Sequence, residues 1–432
     1  MIKDSVFKII RNRTAQNAGW LIGGKVAQML LSLIVGVLTA RYLGPSNYGL
    51  IGYGTAYMAF FMSLCTLGIN SLLVKEFVDN PNGSGMIIGT TLVLKFIAST
   101  ISFLLILLIT FFVDYGEYNT ILIVFLCNLG LIFNILETFN YWFQSRLQSK
   151  VTAIVTFIAY FATSLYKIVL LLSNADVYLF ALASSVDYIV LGLLLWRSYK
   201  NHKGQHLFFS RNYAINLLSR SIHFIFPGLM VAIYAQTDKF MLKQMMSTAS
   251  IGYYTTAQTL SGMWCFVLAA IIDSLYPGIM NSFKNNSGFE EKNMLLYRIV
   301  FYLSIIVSSL ICLFARPIIG LLYGEAYLLA VLPLQIVTWL TAFSYLGVAR
   351  NAWIVCKNMQ KHLVVIYVSA ALFNVIFNYL FIPTYGATGA AIASVVTQFL
   401  TVFIIPLGIN GLRENTLLII KAISFQKPTR QP

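Results

Sequence analysis

The clearest ionisable residues within the long apolar stretches of this chain are Lys25, Lys95, Lys167, Asp187, Asp273 and Arg350, and Asp238 and Lys239 sit at the end of one. A charge at the centre of a membrane helix costs on the order of 2.5–3.5 kcal/mol, so each needs a reason to be there. Lys and Arg meet phosphate oxygens through charge-assisted hydrogen bonds, and the excess of cations over anions suits a diphosphate or an acidic sugar. Lys25 belongs to a stripe. Asn17, Lys25, Gln28, Ser32, Gly36 and Thr39 recur at helical spacing, which puts a polar face along most of the first apolar stretch. His223, Pro227, Tyr234 and Asp238 share a face of the seventh stretch, and Thr259, Gly262, Phe266 and Asp273 do so on the eighth. These three segments are expected to line a wet cavity, with Lys25, Gln28, Arg41, Asp238, Lys239, Asp273 and Arg350 as the candidate binding residues. Snorkelling is the competing explanation for Lys167 and Arg350, which lie close enough to an interface for a long side chain to reach water.

The sequence lacks the parts of an enzyme site. It contains no HExxH, P-loop or GxSxG pattern, which removes the usual metal, nucleotide and acyl-enzyme routes and any ATP-driven pump within the chain. The five cysteines all fall in apolar stretches, with no CxxC spacing, and read as small buried hydrophobes. No catalytic residue, metal ligand or cofactor is expected.

The elements that must position these residues are membrane helices. The chain is 59% hydrophobic and 10% charged, too few charges for a water-soluble surface. Its apolar blocks match the ~20 residues that cross ~30 Å of hydrocarbon, and they are apolar on every face, unlike barrel strands. We read spans at 17–40, 48–74, 85–113, 118–141, 151–172, 177–196, 213–235, 251–279, 295–315, 328–352, 363–382 and 388–407, an all-α integral membrane protein of about twelve helices. The segment MIKDSVFKIIRNR before the first span reads as an uncleaved amphipathic interfacial helix.

The net charge of +15 does not indicate nucleic acid, because the basic residues sit in short loops. Of the 29 Lys and Arg residues, Lys25, Lys95, Lys167 and Arg350 are within spans, Arg41, Lys239, Lys243 and Arg316 are in odd-numbered loops, and the other twenty-one flank the opposite side. That bias places both termini in the cytoplasm.

The halves of the chain repeat one another. Gly49, Thr55 and Ala56 recur as Gly252, Thr256 and Ala257; Trp142, Arg146 and Lys150 recur as Trp353, Lys357 and Lys361; Ala181-Leu-Ala-Ser184 recurs as Ala391-Ile-Ala-Ser394. Matches in chain order suggest two six-helix lobes, residues 1–205 and 206–432, related by a parallel repeat with the substrate path between them. The polar stretch Lys200 to Asn212 is the expected linker, free to tolerate change while the lobes rock.

Four loop motifs carry a resemblance over nearly the whole chain: ARYLGPSNYGL, TDKFMLKQMMSTASIGYYTTAQTL, LLYGEAYLLAVLPLQI and NYLFIPTYGATGAAIAS. They resemble the polysaccharide flippase family, which includes Wzx-type O-antigen transporters. That family belongs to the multidrug/oligosaccharidyl-lipid/polysaccharide exporter superfamily. The resemblance implies a V-shaped, two-lobe transporter in the bacterial cytoplasmic (inner) membrane. It would carry oligosaccharide units on undecaprenyl pyrophosphate from the cytoplasmic to the periplasmic leaflet, for O-antigen or other surface polysaccharide. The implied partners are the lipid-linked substrate, membrane lipids, a proton or sodium gradient and a polysaccharide polymerase. Two other readings stay open: a membrane enzyme of the same pathway, such as a polymerase or ligase, and a multidrug or lipid II exporter of the same superfamily. The odd-numbered loops are short for an extracytoplasmic catalytic domain, and the loop motifs favour the polysaccharide branch.

Overall fold

The computed structural model describes residues 13–285 and 287–426, with side chains at 23, 24 and from Val26 onward; the amphipathic N-terminal segment and the Lys25 side chain lie outside the described residues. Every regular element among the described residues is helical. The chain falls into two compact units, the first made of the residues up to Leu43 together with Leu50–Ala232, the second of Gly44–Gly49 and the residues from Ile233 onward.

Ten helices among the described residues are long and apolar enough to cross a bilayer, and a pair bent by 41°, Glu325–Val337 with Leu340–Cys356, makes an eleventh. The first of the ten is two legs. Helix α1 (Arg13–Cys65) breaks at Gly44, whose φ of 71° is open to glycine, and Pro45 then starts the second leg with its fixed φ and missing N–H. Counting both legs gives the expected twelve. Apolar residues such as Leu104, Leu108, Phe112, Leu165, Val169, Ile306, Leu310 and Leu313 remain exposed at intervals of three or four, the surface of a helix that faces lipid.

Unit one continues through α2 (Asn70–Asp79) and α3 (Ser84–Val113) to a fourth span built from α4 (Tyr118–Asn128), α5 (Gly130–Phe133) and α6 (Thr138–Ser145). It ends with α7 (Ser149–Leu172), α8 (Val177–Asn201) and the start of α9 (Arg211–Met245). Its core joins Ile69, Leu73, Phe139, Trp142, Phe143, Leu195 and Leu217. Unit two holds the rest of α9, then α10 (Thr248–Gly262), α11 (Cys265–Lys284) and α12 (Phe289–Leu322). It is completed by α13 (Val331–Val337), α14 (Leu340–Cys356), α15 (Lys361–Tyr385), α16 (Ala387–Phe399) and α17 (Leu412–Ile423).

The repeated residues do matching structural work. Arg146 stacks on Trp142 at 4.0 Å, and Lys357 lies over Trp353 at 5.7 Å. Gly49 and Gly252 meet across a tight crossing: a Cβ on Gly49 would lie 1.8 Å from the Thr248 carbonyl oxygen, and one on Gly252 would lie 2.1 Å from that of Pro45. Only glycine allows this approach, and the Ser46 and Thr248 hydroxyls close it with a 2.6 Å hydrogen bond.

The polar stretch before α9 is hydrogen-bonded to the helices beside it. The Gly85 N–H donates to Gln205 Oε1 at 2.9 Å, the Ser210 N–H donates to Thr90 Oγ1 at 3.1 Å, and the Tyr199 hydroxyl donates to the Gln205 carbonyl at 2.9 Å. The first two bonds strap it onto the start of α3 and the third ties it to the end of α8, because a backbone lying against a helix end must satisfy its own polar groups.

Candidate functional site

Unit one contains two adjoining hollows. The first, about 390 Å³, is lined by Gly24, Gln28, Asn134, Glu137, Asn140, Thr152, Thr156, Tyr160, Asp187 and Tyr188, among others. The second, about 540 Å³, shares Tyr160, Asp187 and Tyr188 and adds Ser32, Thr55, Thr163, Ser164, Lys167 and Ser184. The helices supply this lining by periodicity. Gln28 and Ser32 are successive positions of the α1 stripe, and Thr152, Thr156, Tyr160, Thr163 and Lys167 form a stripe at intervals of three and four on α7. Asn134 and Glu137 come from a short 3₁₀ turn that interrupts the fourth span, where the tighter winding re-aims side chains.

These carboxylates have spare acceptor capacity. Asp187 accepts a bond from Thr163 at 3.2 Å, and Glu137 accepts one from Asn134 at 3.3 Å. An ionised carboxylate has about four acceptor positions. Lys167 lines the same hollow as Asp187 without an ion pair to it. The arrangement can bind a polar ligand of several hydroxyl or amide groups inside an otherwise apolar helix unit.

Asp238 in unit two is the opposite case. It is 2% exposed, and its Oδ1 accepts from Asn374 at 3.0 Å and Asn378 at 2.6 Å. Its Oδ2 accepts from Ser394 at 2.5 Å and from the Tyr254 hydroxyl. Four neutral donors from α10, α15 and α16 match a carboxylate in its acceptor-only, ionised form. One polar atom here is left over: the Asn378 Oδ1 is buried without a hydrogen-bond partner. A buried negative charge beside an orphaned carbonyl oxygen can hold a proton or a small monovalent cation.

The other candidate residues are scattered. Arg41 is exposed just before the α1 break, Asp273 is exposed on α11 and Lys239 is half-buried. Arg350 is 3% exposed on α14; its Nη1 donates to the Thr401 carbonyl at 3.3 Å and its Nε has no partner. It packs against a π-helical turn, Leu400–Ile404. The expected shared face of His223 and Asp238 divides between the two units, with His223 exposed in the first. Lys95 is bound as structure: it is 1% exposed, and its Nζ donates to Asn70 Oδ1 at 2.6 Å and Thr138 Oγ1 at 3.2 Å.

Sequence reasoning missed Asn134, Glu137, Asn140, Tyr160 and Tyr188 in unit one, and Tyr254, Asn374, Asn378 and Ser394 in unit two. The signal for several was present. Asn134, Glu137 and Asn140 are spaced by three, and Asn374 and Asn378 by four, so the stripe argument applied to the first span would have found them.

The sequence profile described as polysaccharide biosynthesis protein matches residues 14–283, more than half of the chain. No curated protein sequence matches. The fold is similar to that of a multidrug resistance MATE family transporter of the MOP superfamily solved in an inward-facing conformation, at TM-score 0.69 and 14% identity over 94% of this chain and 96% of that one. The lipid II flippase MurJ in an inward closed conformation superposes at TM-score 0.71 and 14% identity, over 94% of this chain and 87% of that one. A MOP superfamily transporter from Pyrococcus furiosus, described as having a binding pocket of reverse polarity, does so at TM-score 0.60 and 14% identity over 98% of each chain. The sequence match agrees with the loop motifs, and the chain belongs to the polysaccharide biosynthesis protein family, with a helical fold like that of these transporters.

Proposed function

We propose that this protein is a flippase that moves undecaprenyl-pyrophosphate-linked oligosaccharide units from the cytoplasmic to the periplasmic leaflet by alternating access of its two lobes, for O-antigen or another surface polysaccharide. It works in the bacterial inner membrane with both termini in the cytoplasm, as the Lys and Arg distribution supports. The observation that carries the reading is the pair of polar hollows in unit one, since a span facing only lipid and packed helices has no use for two carboxylates, three amides and two tyrosines around an open space. Lys25, Arg41, Lys239 and Arg350 serve as cationic contacts for the diphosphate, so Lys25→Arg keeps activity and Lys25→Glu loses it. The Asp238 cluster holds the coupling ion, a proton or sodium, supported by the orphaned Asn378 oxygen beside a carboxylate with no salt-bridge partner among the described residues.

The test is translocation of a fluorescent lipid-linked oligosaccharide in proteoliposomes, read by an impermeant quencher, alongside surface polysaccharide in a complemented deletion strain. Imposed proton and sodium gradients identify the coupling ion through the Asp238→Asn variant. Organic-cation export without oligosaccharide translocation would instead mark a multidrug exporter, and glycan elongation by the purified protein would mark a polymerase.

A further inference from the structure

The first hollow of unit one has a polarity that a phosphate site does not. Among the described residues that line it there is no Lys or Arg, whereas Glu137 and Asp187 both do, with Gln28, Asn134 and Asn140 as amides. A diphosphate needs N–H donors and positive charge. Sugar hydroxyls each donate and accept, and planar carboxylates and amides offer them paired acceptors and donors. The rings of Tyr160 and Tyr188 add apolar area for the C–H faces of a pyranose. The volume of about 390 Å³ lies in the range of small-molecule sites, about 300–1,000 Å³. Among the described residues Asp187 accepts from Thr163 and Glu137 from Asn134, which leaves acceptor positions on each carboxylate.

Resting on the flippase reading, we propose that this hollow is the glycan subsite of the transporter and that it selects neutral or amino-bearing sugars while rejecting uronic acids. A uronate would bring a third carboxylate against Glu137 and Asp187, and like charges at close range in a low-dielectric space repel. Lys167 lines the neighbouring hollow and not this one, whereas Asp187 is common to both. This reverses the sequence expectation that intramembrane cations favour acidic sugars.

The experiment uses the full-length protein in lipid nanodiscs and saturation-transfer NMR, which detects weak ligands. Its probes are N,N′-diacetylchitobiose, digalacturonate and inorganic pyrophosphate, with tetraphenylphosphonium as a cation control. Diacetylchitobiose is expected to give signals that Asp187→Asn and Tyr188→Ala each reduce by about fivefold or more. Because truncating Tyr188 opens packed volume, Thr156→Val, which removes a lining hydroxyl at nearly constant volume, is the second variant and should weaken binding by about twofold or more. Digalacturonate should bind only when Glu137→Gln and Asp187→Asn are combined. Displacement of the sugar by pyrophosphate or tetraphenylphosphonium, or sugar signals unchanged in all three variants, would overturn the subsite. Translocation of a lipid-linked oligosaccharide in proteoliposomes separates the two ideas: transport without sugar binding rejects the subsite alone, and sugar binding without transport rejects the flippase reading alone.

Discussion

Ser184 in unit one and Ser394 in unit two occupy the same place in the repeated Ala-x-Ala-Ser motif, yet their surroundings differ. Ser184 lines an open hollow beside Lys167 and Asp187. Ser394 donates at 2.5 Å to Asp238, which is closed off by three further donors. The backbone repeat therefore fixes where a small hydroxyl sits, and the side chains opposite decide whether it meets space or a buried charge. A carboxylate with one donor in a cavity is available to a ligand. One with four donors and 2% exposure already has its partners, and only an ion small enough to fit among them can change its state.

The strongest way to break this contrast is at Asp238. Replacing it by Leu leaves four buried donors without their acceptor and should destabilise the detergent-purified protein by about 3–5 kcal/mol, with transport lost. A thermal unfolding curve like that of the wild type would show that the cluster does not hold unit two together. Asp187→Asn should behave differently, with stability within about 1 kcal/mol of wild type and translocation reduced about tenfold. Parallel loss of stability and transport would mean that Asp187 is a structural group like Asp238.

The serine pair sharpens the comparison at the same site of the repeat. Ser394→Ala removes a hydrogen bond to a charged group and should cost about 1.5–3 kcal/mol, whereas Ser184→Ala should stay within about 0.5 kcal/mol. Equal effects in the two unfolding curves would remove the distinction. The smallest effect is expected on unit one away from the hollow, at the ion pair of Glu76 with Arg220, 2.7 Å apart and 12% and 44% exposed. Burial raises the Glu76 carboxyl, but the bonds from Arg220 and Tyr213 outweigh it and hold it below its ordinary value. A lowered carboxylate stabilises above its unfolded pKa of about 4.3 and loses that contribution as the pH falls through the folded value. Glu76→Gln should therefore cost below about 1 kcal/mol at neutral pH, with the difference from wild type vanishing in unfolding curves taken at low pH.

The sequence alone determined the solvent of this protein and the outline of its architecture. Hydropathy and helical periodicity are local properties, so twelve apolar helices, the break at Gly44-Pro45 and the inward stripe at Gln28 and Ser32 could all be read from composition and spacing. The loop motifs pointed to the family for the same reason, since each is a continuous run of the chain. Tertiary structure decided which charges were spoken for. Lys95 and Asp238 look much like Lys167 and Asp187 in sequence, charges within or at the end of an apolar span, but Asn70, Thr138, Tyr254, Asn374, Asn378 and Ser394 that satisfy the first two come from other helices. A hydrogen-bond partner distant in the chain leaves no trace in local spacing, so whether a buried charge is structural or available depends on helix packing.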